Sequence, residues 1–154
     1  MVSKILYLGE VVVTHEEKRA WIMLVVSVIA YAGYVAVVLG RHDGGPLTAV
    51  PYVGALLWTV GGAMVASMLA EIGMGMASPR ASRVKDDRDR EIGRLGDHVG
   101  HAFVVIGAVS ALLMAMAEWD WFWIANVIYL CFVLSAVIGS LAKVIVYRRG
   151  VPQW

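Results

Sequence analysis

Four long apolar runs constrain this chain more than anything else in it: residues 20–39, 52–76, 99–117 and 121–146. About 20 apolar residues in a helix cross the ~30 Å hydrocarbon core of a bilayer. Strands with open edges and irregular backbone are excluded there, because lipid offers no partner to an unpaired N–H or C=O. The runs therefore predict an all-α integral membrane fold, a single four-helix domain over residues 1–154. Composition decides between lipid and water as the solvent. At 60% hydrophobic and 16% charged residues, the chain lacks the polar surface of a soluble globule, which runs nearer ~45–50% and ~25%.

The run boundaries have chemical causes. Thr14 followed by Glu17 reads as a capping box that opens the first helix. The stretch from Arg41 to Pro46 closes it, Pro51 stands at the entry to the second, and Pro79 stops the second. Only Glu118, Trp119 and Asp120 separate the third run from the fourth, which predicts a tight antiparallel hairpin. Trp119, Trp121 and Trp123 mark one water–lipid boundary as an aromatic belt. Residues 1–13 are too short to span and show no cleavage site, so they are expected to lie along the inner interface or to be an upstream extension.

Orientation follows from the cations. Of the 13 lysines and arginines, 12 fall before the first run, between the second and third, or at the end of the fourth; Arg41 alone lies opposite. The positive-inside rule then places both termini and the central loop in the cytoplasm. Lys143 is expected to snorkel to the inner interface beside Tyr147. A net charge of +1 gives no basic excess, so nucleic acid is not an expected direct partner.

The charged segment RVKDDRDREIGRLGDHVGH, residues 83–101, predicts an amphipathic cytoplasmic helix over about 83–98 that runs into the third span. Pairs at helical spacing support it: Asp86–Arg90, Asp87–Arg90, Glu91–Arg94 and Arg94–Asp97. At about 100° per residue, Gly93, Gly96, Gly100 and Gly107 share one stripe. Glycine costs about 0.8–1 kcal/mol against alanine inside a helix, and membrane helices use small stripes to bring backbones close. The stripe predicts packing within the bundle or, alternatively, a homodimer seam.

Away from that stripe, Asp97, His98 and His101 form a DHxxH word, and Glu71 lies at a matching depth in the second run. Two imidazoles and two carboxylates could hold a divalent metal or relay protons. Arg94, in the same arc, would repel a cation and pair with Glu91 and Asp97 instead. Asn126, Ser27, Ser67, Ser135 and Ser140 read as interhelical hydrogen-bond glue.

Several chemistries are excluded. Cys131 is the single cysteine, so no internal disulfide or Cys-x-x-Cys redox pair exists. His15, His42, His98 and His101 all lie at or beyond span ends, which does not suit bis-histidine haem. The first span carries no charge, unlike small drug–proton exchangers, and no nucleophile–base pair or phosphate loop appears. An enzyme is not expected.

The stretches THEEKRAWIMLVVSVIAYAGYV, VPYVGALLWTVGGA, KDDRDREIGRLGDHVG and FWIANVIYLCFVLSAVIGSLAKVIVYRRG resemble a family of small four-span membrane proteins common in actinobacteria and classed as a domain of unknown function. The shared word is a DxRDRxI-type run, here Asp87 to Ile92; His98 and His101 are outside the pattern. The resemblance implies an inner-membrane protein whose relatives accompany small DNA-binding regulators. Two functions are expected from these readings. One is a non-enzymatic interaction or regulatory module whose cytoplasmic helix docks a protein partner or a second copy. The alternative is a small transporter or metal- or proton-responsive component using Glu71, Asp97, His98 and His101.

Overall fold

The computed structural model describes residues 15–77 and 87–149. Four helices carry the fold: α1 (His15–Gly40), α2 (Val53–Ala77), α3 (Asp87–Met116) and α4 (Trp121–Arg149), with a single 3-10 turn at Leu47–Ala49. All four are long and apolar enough to cross a membrane. The protein is a multi-pass helical membrane protein. Thr14, Pro79, residues 83–86 and residues 1–13 lie outside the described residues, and with them the capping box, the end signal for α2 and the pair through Asp86.

The helices are longer than the apolar runs alone. α1 begins five residues before Ala20, and α4 continues three beyond Val146. The expected cytoplasmic helix and third span are one unbroken α3 of 30 residues, about 45 Å at ~1.5 Å per residue. Near its charged start Ile92 is packed, only 1% exposed, while Glu91 and Arg94 beside it are exposed.

α4 is central, packing along α3 on one side and α1 on the other, while α2 leans chiefly on α1. The order across the molecule is α2–α1–α4–α3. Only 6% of the most apolar stretch of α2 is buried within the chain, so its Leu57, Trp58, Met64 and Met68 face outward, as side chains bathed in lipid do.

At the hairpin end, where α3 turns into α4, aromatic side chains fill the interior. Tyr34, Val38, Val50, Ala55, Phe122 and Tyr129 form one buried cluster. Tyr31, Tyr34 and Tyr129 meet at 5.1–6.3 Å between ring centres, within the range that favours edge-to-face contact. Tyr34 donates to Asn126 Oδ1 at 2.7 Å, and Asn126 Nδ2 donates to the Phe122 carbonyl at 2.7 Å. Tyr129 donates to Thr59 Oγ1 at 3.3 Å, tying α4 to α2.

The hairpin turn itself is a Schellman motif. The Trp119 N–H reaches the Met114 carbonyl at 3.0 Å, and the Glu118 N–H reaches Ala115 at 3.2 Å. Glu118 sits at the left-handed position, φ 55°, where glycine is usual. Asp120 then starts α4 by accepting the Phe122 N–H at 2.8 Å.

Candidate functional site

At the opposite, terminal end, α1 and α3 begin and α2 and α4 finish. There α3 and α4 approach almost backbone to backbone. A methyl group built on Gly100 would stand 2.9 Å from the Ser135 carbonyl oxygen, and one on Gly139 would stand 2.9 Å from that of Gly96. Contacts this tight leave no room for a side chain. Further along the helices, Gly107 makes room for the Cys131 side chain, whose Cβ would clash with a methyl group there. Gly96, Gly100 and Gly107 thus form a seam inside one chain, facing α4. Gly93 does not join them: a methyl group there would meet nothing within 4 Å.

The facing seam on α4 runs Cys131, Ser135, Gly139 and Lys143, one residue per turn. Gly96 clears a track for the Lys143 stem, whose Cγ and Cε would lie 2.5 and 2.6 Å from a Gly96 methyl group. That track delivers Nζ to Asp97 Oδ1 at 2.7 Å. Lys143 thus reaches across to α3. Asp97 is drawn across the seam to α4, and the expected Arg94–Asp97 and Glu91–Arg94 pairs are not formed among the described residues.

Glu71 finds its partner on α1, where Arg19 Nη2 bonds Glu71 Oε1. One turn away, Arg148 reaches Glu17 at 3.6 Å and lies 5.7 Å over the Trp21 ring. Glu17 is buried, so this clasp ties the start of α1 to the end of α4.

Between these elements lies a cleft of about 430 Å³, within the ~300–1,000 Å³ usual for small-ligand pockets. Arg19, Glu71, Asp97, His101 and Lys143 line its charged part; Met23, Val104 and Ala136 line the part deeper along the helices. From Gly93 to Val104 it follows α3 for eleven residues, roughly 16 Å at ~1.5 Å per residue.

The four expected metal-binding residues are thus divided. Glu71, Asp97 and His101 line the cleft, while His98 does not. Each carboxylate already has a cation beside it, and among the described residues no group of three or more His, Cys, Asp or Glu side chains is placed to hold a metal ion. Glu71 is paired with Arg19 and Asp97 with Lys143. Arg19, Lys143 and Gly139 are the cleft residues that the polar-cluster reading missed. Their signal is the one-per-turn spacing of Cys131, Ser135, Gly139 and Lys143, a seam complementary to that of α3.

Compared with protein-family models, curated proteins and solved structures, the chain matches none.

Proposed function

We propose that the protein is a non-enzymatic interaction or regulatory module of a bacterial cytoplasmic membrane, related to the small actinobacterial four-span proteins. In this reading both termini lie in the cytoplasm and the terminal end of the bundle is the working surface. The start of α3 is a charged amphipathic extension there, because a 30-residue helix exceeds the ~30 Å hydrocarbon core by about 15 Å. The observation that carries the proposal is how charge is used along that extension. Asp97 is committed to Lys143, while Glu91, Arg94 and His98 remain exposed. A surface of both signs fixes the register of a partner more than it adds affinity. The alternative of a metal-responsive component is less well supported, since His98 does not line the cleft and no three of the described donors are grouped.

Photo-crosslinking in cells tests the reading. A crosslinker at position 91, 94 or 98 should give one discrete product, to a cytoplasmic protein or a second copy. A Glu91→Arg/Arg94→Glu double variant should remove it, and a crosslinker at 43 or 119 should not reproduce it. Reporter fusions at 42–46 and at Trp119 should read outside, and fusions near Asp87 or after Arg149 should read inside. No product at the three α3 positions above that at 43 would end the docking proposal, and an inside signal at 42–46 would reverse the orientation.

A further inference from the structure

The cleft at the terminal end has a charge balance and a polarity gradient that together specify a ligand. Its two cations, Arg19 and Lys143, are matched by two carboxylates, Glu71 and Asp97. An anionic ligand would gain no net attraction, because the carboxylates already neutralise the cations. A ligand bearing one charge of each sign would satisfy both sets at once. The existing pairs are partly open to solvent: Arg19 and Glu71 are each 45% exposed, Lys143 is 28% exposed and Asp97 75%. Ion pairs so open to solvent contribute little.

The gradient separates a lipid from a soluble solute. The charged residues sit toward the helix ends, and Met23, Val104 and Ala136 lie deeper along α1, α3 and α4. A helix end that leaves a bilayer passes through the headgroup layer at this level, so the charged part of the cleft meets headgroups and the apolar part meets acyl chains.

We propose that this cleft holds one phospholipid whose headgroup carries a phosphate and a primary ammonium, as in phosphatidylethanolamine. The phosphate faces Arg19 and Lys143, as phosphate faces arginine and lysine elsewhere. The ammonium, with three N–H donors, faces Glu71 and Asp97. The first acyl methylenes lie against Met23, Val104 and Ala136. A quaternary choline headgroup has no N–H to donate and is the weaker ligand. The open side of Gly93 is the entry, since nothing occupies the space a side chain there would fill. The proposal needs only that this end lie at a membrane interface, so it stands apart from partner docking and from orientation.

The purified full chain in a neutral detergent is heated with equal amounts of phosphatidylethanolamine, phosphatidylcholine or phosphatidylglycerol, and separately with soluble phosphoethanolamine. The melting temperature should rise by roughly 5 °C with phosphatidylethanolamine, by clearly less with the other two lipids, and negligibly with phosphoethanolamine. Gly93→Leu fills the entry from a position where an added Cβ meets nothing within 4 Å, and should lose the selective rise. Glu71→Gln keeps the shape but removes an ammonium partner, and should equalise the ethanolamine and choline lipids; it decides the matter alone if Gly93→Leu does not fold. An equal rise with all three lipids, a larger rise with phosphatidylglycerol, or a selective rise that survives in Glu71→Gln overturns the proposal. An equal rise with soluble phosphoethanolamine makes the ligand a free solute and overturns the lipid.

Discussion

The two ends of the bundle hold helices together by opposite means. At the hairpin end, Tyr34, Phe122 and Tyr129 place bulk between α1 and α4, and hydrogen bonds from Tyr34 and Tyr129 lock the rings to Asn126 and Thr59. At the terminal end, Gly96, Gly100 and Gly139 remove bulk between α3 and α4, and the backbones nearly touch. Water supplies no hydrophobic driving force between helices inside a bilayer, so packing quality and internal hydrogen bonds carry association. Bulk at the hairpin end leaves a cavity of about 260 Å³ beside Tyr34, Phe122 and Asn126, smaller than the cleft. Close approach uses space up along one line only, and the cleft opens beside that line.

Five substitutions break or sharpen this contrast. The largest effect is expected at the hairpin end, where Tyr34→Ala removes a ring that is 1% exposed and should cost roughly 3 kcal/mol, read as reversible unfolding in detergent. A loss below about 1 kcal/mol would mean that detergent or lipid fills the space as well as tyrosine does. Next come Gly100→Leu and Gly107→Leu, which push α3 off Ser135 and Cys131 and should cost about 1–3 kcal/mol. Gly93→Leu, on the same helix but with nothing near it, should stay within about 0.5 kcal/mol of wild type. Equal costs at 93 and 100 would erase the distinction between seam and cleft. The smallest effect belongs to Cys131→Ala, which keeps the Cβ that meets Gly107 and should change stability by less than about 0.5 kcal/mol. A larger loss would give the thiol a polar role.

The spans were legible because hydropathy is a property of one segment at a time. Trp121 as the start of α4 and the short turn before it needed no tertiary knowledge. The angular stripe also located Gly96, Gly100 and Gly107, since helical geometry fixes which residues share a face. What that geometry does not fix is the rotation of one helix against another. Gly93 shares the stripe by angle yet opens on the cleft, because α4 does not cover that part of the face. Asp97 illustrates the same limit: its nearest cation along the helix is Arg94, but Lys143 arrives from α4 over Gly96. Glu71 needed a partner on energetic grounds, and sequence could name candidates on α3 but not Arg19 on α1.

The place of α4 between α1 and α3 also sets an order on biogenesis. Of the four helices it is the last to leave the ribosome. While α1 and α2 sit in the membrane alone, the Tyr34 hydroxyl lacks Asn126 and the Glu17 carboxylate lacks Arg148. The bundle is therefore completed by its final insertion, which docks one helix against two waiting neighbours and closes both ends in a single event.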